Sequence, residues 1–191
     1  MSLRTDLLGL SIPIQKEMQK LHPPEPKTTV RMVEAVMPQV RDGDILLSRE
    51  AWHFTNNFIP GYWSHAAIYG QGQVVEAVAP AVQVVDDFRD WAVKKHNWCV
   101  LRPMTTEQAE GALAFFWAES QIGKLYDYRF SKNNGLFFCS ELVFDAWDMT
   151  SRWGEDVFVK RLTFGEWTVT PDDFYNAVKR AKLKLIFEHR D

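Results

Sequence analysis

The sequence predicts an α+β domain in which helices pack against an antiparallel sheet. Short apolar runs with strand-like alternation are bounded by turn residues, and several are joined by turns too short for a parallel crossover. The strand-like and helix-like stretches are partly segregated along the chain, which favours α+β over a regular α/β alternation. A length of 191 residues suits one domain with a sizeable core.

The N-terminal part of the chain is the least regular. Residues 4–21 predict a helical arm, which the proline-rich stretch at 22–26 interrupts. A short second helix is expected at 28–37, capped by Thr28 or Thr29. We therefore divide the chain into an N-terminal helical arm, 1–38, and a folded domain, 39–191.

Strands dominate the first half of the predicted domain. The first strand follows the turn Asp42-Gly43, and a later tight turn at Gln71-Gly72 marks a hairpin. The expected strands are 44–48, 63–69, 73–78, 82–85 and 98–102.

Helices dominate the second half. Asp86 or Asp87 caps an expected helix at 86–95, and a longer helix is expected at 105–121. A third helix begins near Cys139, the stretch 149–168 is poorly patterned, and a fourth helix runs to about residue 181 before a last strand at 184–188.

Cys139 is the most informative residue because it stands where an extended apolar run turns into a helix. Apolar residues recur after it at 142, 143, 146 and 147, which is helical spacing. A thiol in the first turn of a helix lies at the positive end of the helix dipole, beside unpaired backbone N–H groups. Both stabilise the thiolate, which is the nucleophilic form of cysteine. With a suitably placed histidine, Cys139 would be the nucleophile of a cysteine hydrolase.

His65 is the histidine that lies within a well-patterned strand, and the hairpin supplies its partner. A two-residue turn at Gln71-Gly72 pairs Ala67 with Glu76, so Glu76 is a diagonal neighbour of His65 on the same face. A four-residue turn gives the same result, whereas an odd loop would place the two side chains on opposite faces. A carboxylate there fixes the imidazole tautomer and leaves the other ring nitrogen for a thiol. The alternatives are a satisfied core histidine and a solvent-facing glutamate.

Four segments together resemble the permuted branch of the NlpC/P60 papain-like superfamily, which includes the lecithin:retinol acyltransferase-like enzymes. In that branch the histidine strand precedes the cysteine helix. The resemblance runs from about residue 40 to about residue 175, and it is carried by Gly43–Leu47, Trp63–Tyr69, Val75–Ala77 and Phe138–Val143.

The resemblance implies a circularly permuted papain-like fold, with an antiparallel sheet or a small barrel packed against helices. It implies that Cys139 attacks an acyl carbon, that His65 is the base and that Glu76 orients the histidine. The segment 123–128 is similar to the one that precedes the cysteine helix in this family. There Tyr128, or Tyr126, is expected to line the site or to donate to an oxyanion.

Ser64 and Trp63 immediately precede the histidine and are further candidates for lining the substrate site. The backbone N–H of Cys139, at the helix start, is a natural oxyanion donor. The segment 168–173 is similar to a late family segment, although its residues by themselves predict only a helix start. Asp44 is expected to be a turn or support residue.

The expected function is hydrolysis of an amide in a peptide, such as a cell-wall peptide, through a thioester on Cys139. A lipid amide or ester is the next substrate class, and acyl transfer to another nucleophile passes through the same thioester. A non-catalytic ligand-binding module, in which Cys139 is unreactive, is the first alternative. A metal site built from His53, His65, Glu76 and Cys139 is the second, although no short paired ligand spacing exists. We expect no cofactor and no metal.

Composition limits the partners. A net charge of −3 and a pI near 6.0 give no electrostatic basis for nucleic-acid binding, and no run of about 18 apolar residues predicts a transmembrane helix. The eight Trp and thirteen Phe indicate a bulky core, or an aromatic-lined groove for an apolar or sugar-like ligand. The aromatic residues around 52–63 are candidates for an apolar acyl pocket, and part of the core is the equal alternative. The expected partner is a small peptide or a lipid-like acyl substrate.

The two cysteines indicate a reducing compartment. The chain has two cysteines, and Cys99, in a strand-like run, is expected to be a buried apolar filler. No disulfide framework and no signal peptide are recognisable, which predicts a cytoplasmic location, with a removed leader as the alternative.

Overall fold

The computed structural model describes residues 25–49, 59–104, 108–131, 134–151, 161–163 and 166–190. The predicted helix at 4–21 and His53 therefore lie outside the described residues. The described helices are α1 (Val30–Val36, followed by a 3-10 turn at Met37–Gln39), α2 (Phe88–Ala92), α3 (Gln108–Glu119), α4 (Cys139–Ser151) and α5 (Pro171–Lys179). The strands are β1 (Ile45–Arg49), β2 (His65–Gly70), β3 (Gln73–Val78), β4 (Ala81–Val85), β5 (Asn97–Pro103), β6 (Arg161–Thr163), β7 (Glu166–Thr168) and β8 (Leu183–His189).

Six of these strands form one antiparallel sheet in the order β4-β3-β2-β1-β5-β8, and β6 pairs with β7 in a separate hairpin. The α+β prediction is confirmed. The sheet is open, with β4 and β8 at its two edges, so the small barrel that was one of the expected forms is not observed. No helix in the described ranges is long and apolar enough to cross a membrane.

Apolar side chains cover both faces of the sheet, which explains the unbroken apolar run in β1. Ile45 and Leu47 belong to a large cluster that includes the inner faces of α3, α4 and α5. Leu46 points into a second cluster with α2 and with Val33 of α1. Because both faces are buried, β1 needs no polar alternation. Part of the predicted arm, α1, is thus packed onto the sheet.

The central hairpin has the register that the sequence predicts. Gly70 pairs with Gln73 across the turn, and Ala67 pairs with Glu76. Gln71 and Gly72 both have positive φ, of 52° and 82°, as a tight two-residue hairpin turn requires. This register places Glu76 diagonally opposite His65 on one face of the sheet.

Several predicted element bounds change in detail. Thr29 rather than Thr28 caps α1, accepting a bond from the Met32 N–H at 3.3 Å. Thr28 is instead used for tertiary contacts, donating to Lys95 O and accepting from Trp98 Nε1. The helix expected at 86–95 is only Phe88–Ala92, and its cap is Asp87.

The stretch 149–168, which has no clear periodicity, holds the end of α4 and the β6–β7 hairpin. Each strand of that hairpin has only three residues, too few to give a recognisable alternation.

The edge of the sheet at β4 is partly covered by the segment that leads toward the cysteine helix. Val82 donates to Lys124 O and Gly123 donates to Val82 O, while Tyr126 N–H donates to Pro80 O. These bonds satisfy backbone N–H and C=O groups at the sheet edge, which could otherwise pair with a strand of another chain. They also fix the approach of the chain to Cys139.

A close contact between α3 and the turn before β1 gives the first prediction. A Cβ on Gly111 would lie 2.1 Å from Asp42 O, and a Cβ on Gly43 would lie 2.4 Å from Gly111 Cα. Alanine normally stabilises a helix relative to glycine by about 1 kcal/mol. Here we expect Gly111→Ala to lower the free energy of unfolding by about 1–3 kcal/mol, because the backbone must move apart. Denaturant unfolding measures this.

The neighbouring substitution Glu110→Ala, at a half-buried position of the same helix, serves as the control and should change stability by no more than about 0.5 kcal/mol. A Gly111→Ala protein more stable than the parent would contradict the packing argument.

Candidate active site

Cys139 begins α4, as its sequence context predicts. The helix buries an apolar stripe of Leu142, Val143 and Ala146 against the sheet, which holds it in place. Trp147 donates its indole N–H to Gly43 O at 3.1 Å, and this bond ties the helix to the turn before β1. Cys139 itself is only 4 % exposed, so the residue is almost completely buried.

A buried carboxylate organises the loop that precedes Cys139. Asp127 has no exposed surface, and it accepts bonds from Arg129 N–H, Ser131 N–H and Asn134 Nδ2 at 2.7, 2.7 and 3.1 Å. These bonds satisfy the carboxylate and fix the chain over one turn. Sequence reasoning missed this role; the weak signal available was an aspartate followed by polar turn residues.

His65 lies at the start of β2, and Glu76 is its partner on β3. The distance between His65 Nε2 and Glu76 Oε2 is 2.8 Å. Two further donors hold the carboxylate: Gln83 Nε2 bonds to Oε1 at 3.0 Å and Trp91 Nε1 bonds to Oε2 at 2.9 Å. Neither Gln83 nor Trp91 was a predicted site residue, because their relation to Glu76 depends on the pairing of β3 with β4 and on the placement of α2.

The structure brings Cys139 and His65 into hydrogen-bond contact, although they are far apart in sequence. Because Nε2 of His65 bonds to Glu76, Nδ1 is the ring nitrogen left for the thiol. Cys139, His65 and Glu76 therefore form one continuous chain of contacts. A thiol, an imidazole and a carboxylate in this order can act chemically as a nucleophile, a base and an orienting acid.

The charges of these three groups stabilise one another. Burial lowers the pKa of His65, but its hydrogen bonds to Cys139 and Glu76 and their negative charges outweigh burial, so the pKa rises to about 9. Burial raises the pKa of the Cys139 thiol, whereas the hydrogen bond and the charge of His65 lower it, and the net pKa lies below that of an ordinary thiol.

The pKa of the Glu76 carboxyl is raised by burial but lowered more strongly by His65, so that it falls far below its usual range. The geometry therefore favours a thiolate beside an imidazolium and an ionised carboxylate.

The late segment near residue 170 connects the histidine strand with the cysteine helix. Asp172 Oδ1 accepts bonds from the backbone N–H groups of Tyr62 and Trp63 at 2.8 and 3.0 Å. Ser140, the residue after Cys139, donates its hydroxyl to Val169 O at 2.7 Å. The predicted helix start is confirmed, with a capping box between Thr170 and Asp173.

The four predicted lining residues differ in their placement. Tyr126 is half-buried, and burial together with the charge of nearby Cys139 raises its pKa well above the usual value. Tyr128 is also half-buried, and its ring meets that of Tyr126 edge-on at 5.2 Å. Ser64 is buried and donates its backbone N–H to Ser48 O. Trp63 exposes none of its surface and packs in the core, so it presents nothing to a substrate in this conformation.

Other predicted residues have structural positions. Cys99 is completely buried in β5, and burial raises the pKa of its thiol, as expected for an apolar filler. Asp44 is buried and forms an ion pair with Arg102 at 2.7 Å, which fits a support role. In the part of the chain that the structure describes, no three His, Cys, Asp or Glu side chains are grouped so as to hold a metal ion.

Comparison with known proteins identifies the class. A sequence-family model described as "Permuted papain-like amidase enzyme, YaeF/YiiX, C92 family" matches residues 39–184. This match covers most of the chain, and the chain therefore belongs to this family. The prediction of a permuted papain-like protein is confirmed, and with it the general expectation of an amidase-type cysteine hydrolase.

One solved structure shares the fold. It is titled as the crystal structure of metalloprotein yiiX from Escherichia coli O157:H7. The TM-score is 0.66 at 19 % sequence identity, and the match covers 80 % of this chain and 99 % of that chain. At this identity the likeness concerns the fold alone. A search of curated proteins found no match.

The two thiols of the chain offer an internal comparison of reactivity. We expect iodoacetamide to alkylate Cys139 near neutral pH and to leave Cys99 unmodified, because only Cys139 has a lowered pKa and any exposure. Removing the imidazolium in His65→Ala should return the Cys139 pKa toward or above the ordinary value. The alkylation rate at pH 7 should then fall at least about tenfold. Mass spectrometry of both peptides against time and pH measures this.

Equal labelling of both cysteines in the folded protein would contradict the assigned ion pair. So would a Cys139 rate that His65→Ala leaves unchanged.

Proposed function

We propose that the protein cleaves amides through a Cys-His-Glu triad, with Cys139 as nucleophile, His65 as acid and base, and Glu76 as the residue that orients His65. The single observation that carries this proposal is the imidazole of His65 held between a thiol and a buried carboxylate. Family membership supports the amide as the bond class.

In the first half of the reaction, the Cys139 thiolate attacks the carbonyl carbon and a C–S bond forms. The carbonyl π electrons move to oxygen and give a tetrahedral oxyanion. The backbone N–H of Cys139, at the positive end of α4, is the proposed first donor to this oxyanion. The Tyr126 hydroxyl, on the segment beside Cys139, is the proposed second donor, and Tyr128 is the alternative.

The imidazolium of His65 then gives its proton to the leaving nitrogen, the C–N bond breaks and an amine departs. This leaves a thioester on Cys139 and a neutral imidazole. In the second half, the imidazole takes a proton from water while the water oxygen attacks the thioester carbon. The C–S bond breaks, the thiolate returns and the acid product leaves. Glu76 keeps His65 in one orientation throughout and stabilises each imidazolium state.

A peptide amide, such as one in a cell-wall peptide, is the first substrate class that we propose. One observation favours a second class, a lipid amide or ester. Leu125 and Ile122 are 61 % and 43 % exposed in the segment that leads to Tyr126, and apolar surface of this kind fits an acyl chain. Transfer of the acyl group to a nucleophile other than water would use the same thioester. Both cysteines are free thiols, which supports a reducing location such as the cytoplasm.

Substitution of the three residues tests their roles. With an amide found by screening acyl probes for adducts at Cys139, we expect Cys139→Ala to abolish turnover. His65→Ala should lower kcat by at least about 100-fold because general acid–base catalysis is lost. Glu76→Gln should lower kcat less, by about tenfold, because an amide still accepts a bond but carries no charge. Steady-state kinetics on folded variants gives these values.

Cys99→Ala is the matched control: it removes the other thiol, which lies in the core, and activity per folded molecule should persist. Full activity of Cys139→Ala would refute the proposed nucleophile. An unaffected Glu76→Gln enzyme would remove Glu76 from the triad.

The pH dependence of kcat/KM follows from the pKa of His65 in the free enzyme. The imidazolium that protonates the leaving amine persists up to about pH 9 and loses its proton above it. We therefore expect kcat/KM for amide cleavage to fall as the pH rises through about 9, rather than near the ordinary histidine value of about 6.5. A pH–rate profile of the parent enzyme measures this. A decline centred near pH 6.5 would contradict the stabilisation of the His65 imidazolium by Cys139 and Glu76.

A further inference from the structure

The carboxylate of Glu76 is held by more than the catalytic histidine. Oε2 accepts from both His65 Nε2 and Trp91 Nε1, at 2.8 and 2.9 Å, and Oε1 accepts from Gln83 Nε2 at 3.0 Å. The three donors come from β2, α2 and β4. Glu76 is 5 % exposed, so these protein donors replace the water that would otherwise solvate its charge.

Trp91 is the more rigid of the two added donors. It is 2 % exposed, and its indole stacks near Phe88 with an angle of 17° between the rings. An indole N–H donates and cannot accept, whereas the side-chain amide of Gln83, which is exposed, can turn. The bond from Trp91 therefore has a fixed direction, and it restrains rotation of the carboxylate.

A cation lies over the ring of the indole. Lys95 Nζ stands 4.8 Å from the centre of the Trp91 ring, and its charge also favours the ionised state of Glu76. A lysine, an indole, a carboxylate, an imidazole and a thiol thus follow one another in contact.

We propose that Trp91 is a positioning residue of this site: its indole N–H holds the Glu76 carboxylate against His65 and thereby keeps the imidazole aligned on Cys139. This inference rests on the triad proposed above and adds a residue that does not touch the substrate. It gives a function to a buried tryptophan whose burial alone would indicate only a role in core packing.

Trp91→Phe tests the proposal because it removes the N–H donor and keeps an aromatic ring. We expect kcat to fall about tenfold, the effect of one hydrogen bond to a charged group, with KM changed less than about twofold. Glu76 should also become easier to protonate. If the indole N–H aligns His65 on Cys139, its loss should also weaken the stabilisation of the Cys139 thiolate by His65. The rate of Cys139 alkylation, which needs no substrate, should then decline at a higher pH on the acid side than in the parent protein.

Trp98→Phe is the matched control. Trp98 is equally buried in the same apolar cluster, and its Nε1 donates to Thr28 rather than to the site. It should lose a similar amount of stability and keep both kcat and the alkylation profile. If Trp98→Phe reduces both as much as Trp91→Phe does, packing rather than positioning explains the effect, and the proposal fails.

A double-mutant cycle separates this inference from the triad itself. If Trp91 acts through Glu76, adding Trp91→Phe to Glu76→Ala should cause no further loss of kcat. Equal losses in the presence and absence of Glu76 would overturn the role of Trp91 and leave the triad intact. A Glu76→Ala enzyme that is folded and fully active would instead overturn the triad. The alkylation profile of Trp91→Phe alone decides the matter if the double variant does not fold.

Discussion

The charges on Cys139, His65 and Glu76 stabilise one another in a place where burial would neutralise each of them alone. Burial raises the pKa of a thiol and of a carboxyl and lowers that of an imidazole. In this protein the contacts among the three groups reverse all three tendencies. The ionised states of Cys139 and Glu76 therefore depend chiefly on the contact that each makes with His65. The hairpin, the cysteine helix and the late segment are the parts of the fold that bring them together.

The fold meets this requirement with local devices. A tight turn at Gln71-Gly72 sets the hairpin register and so the relation of His65 to Glu76. The start of α4 places the thiol among backbone donors. Asp172 holds the chain just before His65, while Val169 accepts a bond from the residue after Cys139. The late segment thus holds both the chain before His65 and the start of α4 in place.

The family match and the site geometry address different questions. The match of residues 39–184 places the chain among permuted papain-like amidases, and the related crystal structure agrees with the fold. The geometry supports particular roles for Cys139 and His65, whose ion pair is what amide cleavage by a thiol needs.

The sequence by itself predicted the six strands of the main sheet and the register of the central hairpin, because turn residues and short apolar runs are local signals. It also singled out Cys139, His65 and Glu76 as candidates for the site. It also left Thr28 and Thr29 as equal candidates for one cap. Only the tertiary structure decided that the sheet is open and that Trp91 lies beside Glu76. Such relations depend on which strand pairs with which and on where a helix packs, and no local pattern of residues encodes them.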